Sequence, residues 1–210
     1  MTGLYPPSVG FLRFSTIAIA AVLISGCASD HRAALNKPPE FSESPSIDKE
    51  WHVFAEGLSV TIGGLQKHQF LIISEKKRNV YIQFAAGGNL GMRVEAVSEQ
   101  FYPDLGEGQR KMLRDFGWMP PTYVLGPRSK GPPGGSCNYY ISVSKTSSSA
   151  LADFVVRTFC DVYRTRRPTA LQYRAFGDKG DFKYDLRLPS LGLELEPRSQ
   201  IASGLEKSAG

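Results

Sequence analysis

Few side chains in this sequence are of a type and spacing that could do chemistry, and the first of them is a thiol. Cys27 follows Ile24, Ser25 and Gly26 at the end of an uncharged apolar run, Phe14 to Ile24, that Arg13 precedes. A positive flank, a short apolar segment and then small residues make a cleavage-like site, the pattern of a secretory signal. The other cysteines are Cys137 and Cys160. Cys137 follows Gly134-Gly135-Ser136 with no His in a recognisable relation to it, and a nucleophilic thiolate needs a partner that lowers its pKa. The three His, His31, His52 and His68, show no ligand spacing, so neither a metal nor a cofactor is expected. Gly87-Gly88-Asn89-Leu90-Gly91 lacks the Lys-Ser or Lys-Thr of a phosphate loop and reads as a hairpin turn. Asp153 and Asp161 straddle two turns of one helical pattern, an arrangement typical of surface charge. No catalytic constellation emerges, and an enzyme is not expected.

Composition narrows the remaining classes. The chain has 210 residues, 41% of them hydrophobic and 21% charged, too polar for a multi-span membrane protein and too apolar for wholesale disorder. Its 25 bases and 20 acids leave +5. Lys76-Lys77-Arg78 and the group Arg164, Arg166, Arg167 could offer footprints to anionic headgroups, but such groups more often form solvated turns or partner a helix C-terminus. With no known binding motif, nucleic acid is not expected as a partner.

Ile24-Ser25-Gly26-Cys27 resembles the lipobox of bacterial lipoproteins. The resemblance implies that residues 1–26 are a signal peptide, that Cys27 carries a diacylglyceryl thioether, and that the protein is exported. It would then be anchored to the outer face of the cell membrane or to an outer membrane. Each buried methylene contributes about 0.8 kcal/mol, and two acyl chains give lasting attachment. The apolar run is shorter than the roughly 20 residues of a permanent span. The alternative is an uncleaved anchor in which Cys27 is one more small apolar residue. Residues 27–49, rich in Pro, Ser and charge without a sustained period, are expected to be a disordered tether reaching about 25 Å. Export leaves Cys137 and Cys160 where disulfides form. They could be bridged, which would stabilise by about 3 kcal/mol, or be two separate small hydrophobes.

The core is expected over residues 50–178. Trp51, Phe54, Ala55, Leu58 and Ile62 recur at helical spacing, with Asp48 as cap and Gly63-Gly64 as stop. Gly57 weakens that interior. Residues 69–74, 79–85 and 91–97 read as three strands on short links, an antiparallel meander. Met112, Leu113 and Phe116 share a helix face that Gly117 terminates. A short strand at 122–125, a Pro- and Gly-rich loop at 126–135 and a strand at 137–143 follow. A last helix spans about 149–163 on a stripe of Leu151, Phe154, Val155, Thr158, Phe159 and Val162. Residues 179–210 are expected to be a poorly ordered tail with β-like patches around Phe182 to Leu188 and Leu191 to Leu195. The fold class is α+β, an antiparallel sheet with helices on one face in the order α-β-β-β-α-β-β-α.

That order resembles the class I type III secretion chaperones and the YbjN proteins. Tyr81-Ile82-Gln83-Phe84-Ala85, Gly117-Trp118 with Pro120-Pro121, Asn138-Tyr139-Tyr140, and the last-helix run from Leu151 through Thr158-Phe159 to Val162-Tyr163 look like the TY-Chap domain, which groups both. The resemblance implies a chaperone-like domain that binds a protein or peptide, often as a homodimer, without cofactor or catalysis. Its motifs are packing residues, so no catalytic position carries over.

Three aromatics are candidates for partner binding. Trp118 beside the rigid Pro120-Pro121 turn could present an indole to a peptide, or it could plug the end of the core. Tyr139 and Tyr140 must point to opposite sheet faces, one inward and one outward. The chain therefore reads as a membrane-anchored lipoprotein that binds a protein or peptide at the cell envelope. The alternatives are an envelope enzyme, which would need a concave site with convergent polar groups of shifted pKa, and a structural lipoprotein.

Overall fold

The computed structural model describes residues 48–124, 135–143, 148–179 and 182–196. Cys27 with its leader, the tether up to residue 47, most of the loop expected at 126–135, and residues 197–210 lie outside them.

Helix α1 (Lys49–Gly64) starts where Asp48 accepts hydrogen bonds from the Glu50 and Trp51 amides at 3.0 and 3.2 Å. Its stripe of Trp51, Phe54, Ala55, Leu58 and Ile62 is buried. Strands β1 (Gln69–Glu75), β2 (Tyr81–Ala86) and β3 (Met92–Ala96) form the expected meander, and a turn with positive φ at Gly88 and Gly91 joins the last two. Helix α2 (Glu107–Phe116) stops at Gly117, whose φ of 99° suits only a residue without Cβ. Strand β4 (Tyr139–Val143) pairs with β3, and helix α3 (Ser148–Arg157) packs on α1.

Three features depart from expectation. The helix predicted to 163 changes at Thr158 into a π turn, Thr158–Val162. The strand expected at 122–125 is absent from the described residues 122–124. In its place Met119 makes an isolated bridge to Tyr140, two hydrogen bonds of 2.9 Å. Third, residues 171–179, at the end of the expected core, form a strand, β5 (Leu171–Lys179), and part of the expected tail is structured, with β6 (Phe182–Asp185) and β7 (Glu194–Leu195) joining the sheet and Leu191 in the core. The strand order is β4-β3-β2-β1-β5-β6, with β7 parallel to β5.

Register sorts the two faces. Ala175, Leu71, Phe84, Val94 and Ile141 form one cross-strand row, and Tyr173, Ile73, Ile82, Ala96 and Tyr139 the next. All ten are buried under the helices. The alternate rows, Arg174-Ile72-Gln83-Glu95-Tyr140 and Phe176-Phe70-Ala85-Arg93-Ser142, form the other face. Architecture and class are those expected, an α+β fold with helices on one face of an antiparallel sheet.

Gly57 is a seat rather than a weakness. A Cβ there would lie 2.1 Å from the Ser190 carbonyl oxygen, and the Ser190 hydroxyl meets Thr61 Oγ1 at 2.7 Å. The turn Pro189–Leu191 thus rests directly on α1. Gly57→Ala is expected to lower the urea midpoint despite a helix-propensity gain of about 1 kcal/mol, because overpacking costs about 1–3 kcal/mol. It should also speed tryptic cleavage after Arg187. Gly108→Ala, on α2 with open space around it, should leave stability equal or higher.

Candidate functional site

The chain leaving α2 is fixed by Trp118. Its indole is buried, packs on Phe154 with ring centroids 5.0 Å apart, and donates from Nε1 to Thr158 Oγ1 at 3.1 Å. Trp118 is therefore a core plug, not an exposed anchor. Leaving a buried indole N–H without an acceptor costs stability, and Thr158 supplies one while donating to the Phe154 carbonyl at 2.9 Å.

Beyond the Met119 bridge, Pro120 and Pro121 carry the chain outward. Thr122 ties it back, its amide donating to the Ser136 carbonyl and its hydroxyl accepting from the Ser136 amide, each at 2.8 Å. Gln100 Nε2 spans the carbonyls of Tyr123 and Cys137 at 3.0 and 3.1 Å. These ties leave an open cleft of about 530 Å³ between the Pro120–Val124 segment and α2. Arg110 and Arg114 line one wall, Pro120, Pro121 and Tyr123 the other, and Glu99, Gln100 and Tyr139 lie between.

Both arginines share one carboxylate. Arg110 and Arg114 reach Glu107 at 2.5 and 3.0 Å, and these bonds hold the Glu107 carboxyl below its usual range. Burial and the nearby Glu99 charge raise the Tyr139 phenol, against the pull of Arg114 and Arg110. Burial also raises Tyr123 and the Cys137 thiol, which hydrogen-bond each other. None of these shifts brings a nucleophile or a base toward neutrality. The groups are suited to holding a ligand.

Of the sequence candidates, only Tyr139 lines this cleft. Tyr140 faces the other side of the sheet, where the Arg93 guanidinium lies 3.7 Å from its ring centre. That face also carries the Phe70–Phe176 stack, with centroids 5.1 Å apart. The bridge considered between Cys137 and Cys160 is not formed, and both thiols are free. Cys137 lies beside Tyr123 and feels Glu95, whereas Cys160 sits in the π turn near Asp161 and Asp48. Glu99, Gln100, Arg110, Arg114 and Tyr123 were not anticipated. The arginines, one turn apart on the polar side of an amphipathic helix, were the available signal.

This geometry agrees with a comparison of the sequence against family models, in which residues 44–177 match TY-Chap3, described as T3SS (YopN, CesT) and YbjN peptide-binding chaperone 3. The chain belongs to that family. No curated protein and no solved structure matches it. The TY-Chap3 match ends inside β5, so β6, β7 and the turn at Leu191 lie beyond the matched region.

The domain's buried acids give a pH dependence. Burial pushes the Cys160 thiol up to about 12, from 9.0 for an unperturbed thiol, with Asp161 and Asp48 adding to the shift. Burial likewise raises Tyr163 well above its usual value. As pH rises from about 9 toward 12, the unfolded chain releases the Cys160 proton while the folded chain keeps it, so stability falls across that window. Urea midpoints should be level up to pH 8 and decline steadily above 9, with a shallower decline in Cys160→Ala. In the folded protein at pH 8, Cys160 should resist alkylation until urea is added.

Proposed function

We propose that this TY-Chap3 protein is a lipoprotein, anchored through Cys27, whose domain holds a segment of another protein at the cell envelope. The anchor rests on sequence chemistry: a short apolar run behind Arg13, then Ile24-Ser25-Gly26 and an acceptor thiol. Two acyl chains suffice for lasting attachment, and the 27–49 tether would let the domain stand clear of the headgroups.

The observation that carries the binding reading is the cleft between α2 and the Pro120–Val124 segment in a member of a peptide-binding family. Its wall holds two prolines and is partly apolar, and Val124 is 75% exposed at its edge. Proline and tyrosine present contact area with little rotamer entropy to lose. Holding a peptide also needs no activated nucleophile, in keeping with the raised thiol and phenols around the cleft.

Two measurements test the parts separately. Cys27→Ser, expressed in the native host, is expected to release the protein from the membrane fraction and to lose the diacylglyceryl mass. Unchanged retention with no acyl mass on the wild type would overturn the anchor. For the binding reading, a photoreactive residue at Val124 should crosslink a protein partner in intact cells. The same residue at Ser142, on the opposite sheet face, should not, and equal yields at both positions would count against the cleft.

A further inference from the structure

The walls of the cleft say more than that a peptide enters. Arg110 and Arg114 bring two guanidinium groups to its lining against one acid, Glu99, so among the described residues the lining carries a net positive charge. Glu107, which both arginines touch, is not part of that lining, and its side chain is 68% exposed. An ion pair so exposed is weak. It orients the two forks: Arg110 Nε and Nη2 both donate to Glu107 and its Nη1 to the Leu105 carbonyl, Arg114 donates to Glu107 through Nη2, and the N–H groups left over on each guanidinium can meet a further carboxylate. Between the walls, Glu99 Oε2 is buried and has no hydrogen-bond partner among the described residues. An unsatisfied buried acceptor favours a ligand that brings an N–H to it.

We propose that the cleft selects peptide segments carrying an Asp or Glu beside apolar residues. The carboxylate meets Arg110 and Arg114, the adjoining main-chain N–H reaches Glu99, and the apolar neighbours lie along Pro120, Pro121 and Tyr123. This deepens the peptide-binding reading and rests on it. A basic segment would set like charges against the two guanidinium groups. A small inorganic anion would leave both the apolar wall and the Glu99 acceptor unused.

The test is selection of a displayed random dodecamer library on the immobilised full chain, in parallel with Arg110→Gln, Arg114→Gln and the double variant. Both arginine side chains are partly exposed on α2, so the substitutions spare the core, and circular dichroism checks the fold. Wild-type binders should be enriched in Asp and Glu next to apolar residues, and the double variant should lose the acidic enrichment while keeping the apolar one. For a selected peptide made synthetically, replacing its acid by the amide should weaken binding roughly tenfold, as expected for a charge-assisted bond, and the double variant should bind both forms alike. Binders without acidic enrichment, or an acid preference unchanged in the double variant, would overturn the proposal while leaving peptide binding intact. No enrichment over bare support would overturn both.

Discussion

The hydrogen bond from the Trp118 indole to Thr158 is the constraint on which the rest of the site depends. Burying this indole at the end of α2 without an acceptor for its N–H would cost about 1–3 kcal/mol. Thr158 sits where α3 passes into a π turn, and its hydroxyl both accepts from Trp118 and donates to Phe154. The same turn is held from three sides: Gln109 of α2 donates to the Val162 carbonyl at 2.7 Å, Tyr163 donates to the Val97 carbonyl at 3.0 Å, and Arg78 donates to the Tyr163 carbonyl at 2.8 Å. Two helices, the β1–β2 turn and the end of β3 therefore converge on one short irregular segment. The direction of the chain after Trp118 follows from it, and with that direction the position of Pro120, Pro121 and Tyr123 opposite the arginines.

Alternation along the strands divides the work between the faces of the sheet. One face, apolar apart from the phenols of Tyr139 and Tyr173, is covered by the helices. The other mixes a stacked pair of phenylalanines with the group Arg93, Glu95, Gln83 and Tyr140, in which Gln83 donates to Glu95 at 2.8 Å. Tyr139 and Tyr140, adjacent in sequence, end in different environments because successive side chains of a strand point apart. Only Tyr139 reaches the cleft, and it does so from the helix-covered side.

Much of the fold is legible in local patterns. The Asp48 cap, the Trp51–Ile62 stripe, the three strands of the meander and the Gly117 stop are properties of a few neighbouring residues, and each has one physical solution. Strand β5 was less visible. Leu171, Tyr173 and Ala175 alternate with Gln172 and Arg174, but the run follows Pro168 and ends in charged, Gly-containing sequence that resembles a tail. Its place beside β1 depends on cross-strand partners such as Ile73 and Tyr173 that no local window contains. Gly57 shows the same limit. Propensity marks it as a flaw, while the Ser190 carbonyl resting against it makes the absence of a side chain a requirement.

Sequence alone determined α1 with its Asp48 cap, the three strands of the meander, α2 with its Gly117 stop, most of α3 and the apolar face of each, because these depend on dihedral preference, side-chain period and short motifs. The tertiary structure decided that residues 171–179 lie in the sheet next to residues 69–75, that Trp118 is core, and that two arginines of α2 face a proline turn across a cleft. These outcomes depend on which apolar surfaces meet when distant segments pair, a choice set by the whole chain's burial and hydrogen bonding rather than by any stretch of it.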